Sequence, residues 1–337
     1  MAGLLQFAPR SNSEGAPRVS PASYVSHALH RPERDWPQTN CYVDLWIEVI
    51  ATHGFAPEAM LGFTVRQDFE GDQFTFFKPP HADLEFLYGL RVDELALYDS
   101  LENHIETQLH RKRIVVIEVD SFYLPDTRGI SYRSEHSKTT IGIVGFDVAR
   151  SQMLYFHNDG LFALDHDDFL GVLGRAAEQK RDDALFPYAE FARFEAIPES
   201  AVDVRNKAEQ LLRAHLARRP QRNPVSAFSA AFPQLWQNLE QRPPAFFNVF
   251  VFNTLRQFGA NFELLGSHLD WLRPEGAFAR ESAECHSLSS AAKALQFNVA
   301  RAATRRRPID PTQALNEMAA AYDRLFAGLL ATLDGAR

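Results

Sequence analysis

The chain has few cysteines: Cys41 and Cys285 are the only two in 337 residues. Two thiols cannot build a disulfide framework, so a reducing compartment is the default setting. No run reaches about eighteen apolar residues, so no membrane-spanning helix is expected. Positive charge is not in excess. The 35 Lys and Arg face 43 Asp and Glu, a net charge of −8, which argues against general nucleic-acid binding. The first residues, with Pro9, Arg10 and Pro17, lack the apolar centre of a signal peptide, and a cytoplasmic protein is expected. Nor is there an internal repeat. What is present is a composition 45% hydrophobic and 23% charged, that of a water-exposed globular chain. The length suffices for a sizeable core, with two domains expected.

Residues 1–35 are rich in Pro, Ser, Arg and Ala without periodicity, and read as a loose arm. Residues 60–66 and 73–77 read as strands around the turn signal Glu70-Gly71-Asp72, and residues 93–109 as a helix. Residues 114–119 are the short apolar run of a buried central strand. Strands follow at 139–146, 152–157 and 161–164, then a helix from about 167 to 179, capped by Asp165. Beyond about 180 the pattern becomes helical, with helices at 202–216, 228–239, 246–272, 287–307 and 311–333 and no evident strand. The expected organisation is an arm (1–35), an α+β catalytic domain (36–185) and an all-helical domain (186–337).

Cys41 opens a helix. Asn40 or Thr39 can cap it, Leu45, Trp46, Val49 and Ile50 repeat at helical spacing, and Gly54 offers a left-handed stop. Free N–H groups and the positive dipole end make the first turn the placement that a nucleophilic thiolate needs. Such a nucleophile requires a base, and the base requires a group to hold it. His136 stands before one strand, and Asn158 and Asp159 leave the next. In an antiparallel hairpin those two ends are neighbours, so either residue can reach the imidazole. Asn158 is the preferred orienter, because 154, 156 and 158 share a face.

These features resemble the papain-like cysteine peptidases: Cys41 opening a helix, His136 before the strand ending Gly145-Phe146-Asp147, and Asn158-Asp159-Gly160 after Leu154-Tyr155-Phe156. The resemblance is nearer to the bacteriocin-processing peptidases and to the butirosin-pathway acyltransferase, which moves an aminoacyl group from a carrier protein onto an amine. The string Glu118 to Thr127, with Tyr155-Phe156-His157-Asn158, also resembles an uncharacterised bacterial family often encoded beside amino acid:carrier-protein ligases.

The resemblance covers residues 35–180 and implies a papain-like fold with acyl transfer through an acyl-Cys41 intermediate. The donor would be the phosphopantetheine arm of a carrier protein, the acceptor a small amine, and no bound cofactor or metal is implied. A cysteine peptidase or amide hydrolase using the same residues is the alternative, and a non-catalytic binding protein a third. Papain-like enzymes place an oxyanion-hole glutamine several positions before the cysteine. Gln38 stands three ahead, which leaves more of that task to the Cys41 N–H.

Arg256, Glu263 and His268 lie on the long apolar 246–272 helix and are candidates either to line an acyl pocket or to pair internally. The Arg218-Arg219 and Arg305-Arg306-Arg307 runs are candidate docking points for an acidic carrier protein. The helical half is also a candidate homodimer face. His157 is expected to bond locally rather than act as the base, and Cys285 to be structural.

Overall fold

Why the 114–119 run is so uniformly apolar becomes clear from its surroundings. In the computed structural model, which describes residues 20–176, 179, 185–195, 200–243 and 246–335, it lies inside a sheet covered on both faces. The strands are β1 (Leu90–Glu94), β2 (Ile114–Asp120), β3 (Lys138–Asp147), β4 (Gln152–His157), β5 (Gly160–Asp165) and β6 (Ala189–Phe194). Their order is β1-β6-β2-β3-β4-β5, with every neighbouring pair antiparallel.

Among the helices, α1 (Cys41–Thr52) packs on β3 and β4, α2 (His81–Tyr88) precedes β1, and α3 (Leu101–His110) packs on β2 and β3. A short α4 (His166–Val172) follows β5. Val115, Ile117, Val119, Ile141, Ile143 and Tyr155 join Leu101 and Ile105 of α3 in one core. Gly142 faces the other way: a Cβ there would stand 2.8 Å from Leu45 Cδ1 of α1, so the bare backbone lets that helix approach closely.

The chain divides into two compact units. Met1–Arg31, Asn40–Pro57 and Leu84–Glu199 form the sheet unit, and Pro32–Thr39, Glu58–Asp83 and Ser200–Arg337 the helical unit. The latter contains α5 (Ala201–Leu216), α6 (Pro224–Glu240), α7 (Phe246–Val251), α8 (Gln257–Leu272), α9 (Ala279–Arg305) and α10 (Thr312–Gly335). A π-helical turn, Phe252–Arg256, links α7 to α8. Helix α8 is buried almost all round, with Phe258, Phe262, Leu264, Leu265 and Leu269 inside. The class is therefore α+β with a C-terminal helical region.

Several local expectations change. Residues 57–66 form a 3-10 helix rather than a strand, and only an isolated bridge, Phe69 to Phe74, remains of the 73–77 strand. A buried apolar run such as Met60–Val65 carries no period by which strand and helix can be told apart. Helix α3 begins at Leu101, where Ser100 accepts from the Asn103 N–H at 3.3 Å, and β1 occupies the preceding segment. Strand β6 was not foreseen, yet it lies between β1 and β2. The arm is ordered by specific bonds from residue 20 onward: Tyr24 Oη and the His27 N–H donate to Glu48, and the His30 ring pairs with the same carboxylate. Residues 1–19 lie outside the described residues.

Candidate active site

Asn40, in extended conformation, caps α1: its Oδ1 accepts from the N–H groups of Tyr42 (3.2 Å) and Val43 (3.0 Å). Cys41 is half-buried at this helix start, whereas Cys285 is wholly buried, and burial pushes the Cys285 thiol well up. The direction of α1 follows from its two ends. Near the start, Tyr42 Oη donates to Glu190 on β6 at 2.9 Å. At the far end the His53 ring stacks on Phe194, four residues further along β6, with centroids 4.0 Å apart. Glu190 pairs with Val116 and Ala192 with Ile114. Helix α1 thus points its N-terminus toward the end of the sheet where β2 finishes and β3 begins.

That same end carries His136. Its Nδ1 meets Asp120 Oδ2 at 2.6 Å, and its ring stacks on Phe122 at 4.4 Å. Asp120, the last residue of β2, is itself held, because its Oδ1 accepts from the Phe122 (3.0 Å) and Ser137 (3.3 Å) N–H groups. A carboxylate on Nδ1 fixes the ring and leaves Nε2 to work, the arrangement of a general acid–base pair. His136 lines a cavity of about 660 Å³ together with Ser100, Glu118, Lys138, Arg175 and Phe186. The cations there are paired, Lys138 with Glu118 at 2.6 Å and Arg175 with Glu102 at 2.5 Å.

Other expected partners are placed differently. Asn158 and Asp159 form the turn between β4 and β5, with Asn158 at φ 43°. Asn is among the residues that tolerate this left-handed conformation, and the tight turn is reason enough for it. Among the described residues neither one bonds to His136, whose orienting carboxylate is Asp120 instead. The hairpin does bring its ends together, but the pair that meets is Thr139 and His157, with Oγ1 and Nε2 2.8 Å apart. The other ring nitrogen of His157 contacts Asp126 at 2.5 Å, and Asp126 also accepts from Tyr155 Oη at 2.5 Å. The His157 side chain is 1% exposed, so it bonds locally and has no free nitrogen.

Among the described residues no hydrogen bond or ion pair joins Cys41 to His136, and Cys41 is not among the residues lining the cavity. Gln38 belongs to the helical unit, and there its carbonyl accepts from Arg256 Nη2 at 2.8 Å. Glu263 takes the N–H groups of Asp35 and Trp36. His268 Nδ1 bonds the Glu58 carbonyl at 2.8 Å, and burial lowers its imidazole to about 4. Each of these three side chains thus makes at least one bond to the protein's own backbone. Among the described residues no group of three or more His, Cys, Asp or Glu could hold a metal.

Asp120 is the functional candidate that sequence reasoning missed. Its signal was an acidic residue ending the central strand, two positions before an aromatic residue.

Fold and site together define an antiparallel α+β unit with a helix-start cysteine and a His–Asp pair at one sheet end, followed by a helical unit. Residues 25–194 match the DUF1839 N-terminal domain and residues 201–331 the DUF1839 C-terminal domain, so the chain belongs to the DUF1839 family. No curated protein matches it significantly.

Proposed function

We propose that this protein is a cysteine-dependent acyltransferase with a papain-like catalytic unit, taking an acyl or aminoacyl group from a carrier-protein thioester to a small amine. The supporting observation is that the N-terminus of the Cys41 helix and the Asp120-held His136 ring lie toward the same end of one sheet.

In this reading His136 Nε2 takes the thiol proton, and the thiolate attacks the thioester carbonyl. The tetrahedral adduct collapses to acyl-Cys41, and the imidazolium returns its proton to the departing phosphopantetheine thiolate. The acceptor amine then attacks acyl-Cys41 and gives its proton to His136. The adduct collapses with cleavage of the C–S bond to release the amide, and the imidazolium returns its proton to the Cys41 thiolate. Asp120 stabilises the imidazolium in both halves. Asn40 occupies the Tyr42 and Val43 N–H groups, which leaves the Cys41 N–H for the developing oxyanion. Thiol and imidazole are not bonded here, and such contacts in unliganded enzymes often tighten only when substrate binds. The unpaired thiols suit a reducing cytoplasm.

A second reading follows from the cavity, which is lined by His136 but not by Cys41. The His136–Asp120 pair would there activate a water, making the protein a hydrolase of thioesters or amides without a covalent intermediate. Incubation with carrier proteins bearing different acyl groups, followed by peptide mass spectrometry, separates the two. An adduct on Cys41, absent in His136→Ala, supports transfer. Full turnover by Cys41→Ala overturns it in favour of the hydrolase.

A further inference from the structure

We propose that the helical unit carries a binding site for a small aliphatic phosphomonoester, in the hollow where the end of α9 meets the start of α10. The site takes no part in the chemistry of Cys41 or His136. From residue 285 to residue 309 the sequence has no Asp or Glu but five cations, Lys293, Arg301, Arg305, Arg306 and Arg307, in a chain whose net charge is −8. Cations at the end of a helix complement its dipole, which accounts for one or two of them. It does not account for three arginines gathered around one hollow.

The fold gathers them by a tight exit from α9. Arg306 is left-handed at φ 49°, its N–H bonds the Ala303 carbonyl at 3.2 Å, and the Arg307 N–H bonds the Ala302 carbonyl at 3.0 Å. That double closure ends the helix and turns the chain, and Pro308 prevents any continuation. Arg307 thereby joins Arg301 and Arg305, one turn apart on α9, around a cavity of about 330 Å³. Leu295, Ala302, Ile309 and Ala314 give it an apolar wall. Among the described residues none of the three arginines makes an ion pair or a side-chain hydrogen bond.

Charge and size select the ligand. Asp310 also lines the cavity, but its Oδ1 accepts from the Thr312 N–H at 3.0 Å at the head of α10. Three arginines against one aspartate leave a surplus of two positive charges. A phosphomonoester, with a charge of about −1.5 to −2 at pH 7, matches that surplus, and a single carboxylate does not. Its oxygens also suit the paired N–H groups of guanidinium forks. The volume is at the low end for small-ligand sites, and no aromatic ring lines the cavity for a base to stack on. The body of the ligand is therefore short and aliphatic rather than a nucleoside.

Calorimetric titration of the full-length protein with n-butyl phosphate tests this. One equivalent should bind per chain, at least about tenfold more tightly than butyrate, which offers a single charge. Arg301→Gln, Arg305→Gln and Arg307→Gln should each weaken binding roughly tenfold, the effect of losing a hydrogen bond to a charged group. All three side chains are exposed, so these variants should melt with the wild type. Arg306→Gly is the control: it removes an equal charge that does not line the cavity, and glycine suits the left-handed position. It should change affinity by no more than about twofold, because charge away from the contact is screened. A loss in Arg306→Gly as large as in the other three would reduce the site to a diffuse basic patch and overturn the proposal. So would equal affinity for butyrate, or no heat with millimolar butyl phosphate. Binding seen only by co-sedimentation with phosphatidic acid vesicles would likewise overturn it, in favour of a lipid surface.

Discussion

Removal of His30 should cost the sheet unit a large part of its stability. Asp44 and Glu48, one and two turns into the Cys41 helix, are both 0% exposed. Between them lies one imidazole: His30 Nδ1 bonds Glu48, and Nε2 is 3.4 Å from Asp44 Oδ1. Glu48 also accepts from Tyr24 Oη and the His27 N–H. Burial opposes a charge on His30, but its bonds to Asp44 and Glu48 outweigh this and raise it from 6.5 to about 9. That gap corresponds to roughly 3 kcal/mol. Independently, removing one partner of a buried ion pair costs about 3–5 kcal/mol.

The two routes agree, and the loss is a large share of the roughly 5–15 kcal/mol that stabilises a domain. His30→Ala should therefore lower Tm by roughly 6–20 °C at pH 6. The sign with pH follows from the raised value. The stabilisation is full below about pH 6.5 and is lost as pH rises through about 9. Calorimetry of wild type and His30→Ala at pH 6, 7.5 and 9.5 checks this, with the two curves converging as pH rises. Equal Tm values at pH 6, or a difference that grows toward pH 9.5, would refute the charged-imidazole account.

Asp120→Asn should leave the fold intact but lower kcat for acyl transfer by roughly a hundredfold or more, because the imidazolium loses its countercharge. A loss confined to KM would instead assign Asp120 to substrate binding. His157→Ala should destabilise by about 1–3 kcal/mol, since Asp126 and Thr139 both lose a partner in the core. Urea titration reads that loss, while Cys41 labelling in the folded variant should be unchanged. Altered labelling would place His157 in the chemistry after all.

At the first helix and the β3–β4 hairpin the sequence could be read to within a residue or two. The helix expected at 167–179, by contrast, ends at Val172, and the one expected at 287–307 starts at Ala279. Helix α1 starts at Cys41 because Asn40 is a strong cap, and β3 and β4 alternate between a core face and the face under α1. Strand β6 escaped because Ala189-Glu190-Phe191-Ala192-Arg193-Phe194 has weak alternation, and its place beside β2 depends on partners some seventy residues earlier. The 93–109 helix was overdrawn because Leu97, which packs on the sheet unit's core outside any helix, falls in phase with Leu101, Ile105 and Leu109 of α3.

The site shows a subtler limit. A hairpin argument locates which strand ends meet, but a shift of two or three residues changes which side chains do so. Placing His136 level with the end of the next strand pairs it with Asn158. The strand begins at Lys138, within one residue of the expected start, but it is Thr139 that meets His157, and His136 remains on the approach to the strand. There the nearest carboxylate comes from the neighbouring strand rather than from the following turn, since Asp120 pairs directly with Lys138. His136 therefore stays a candidate base by position, and the carboxylate on its ring is that of residue 120 rather than a group at 158 or 159. Neither the backbone amides that fix Asp120 nor the Phe122 ring under His136 leaves a periodic trace. Both come from the sharp exit of β2 into the 3-10 turn at Ser121–Tyr123, for which Asp120 is the cap.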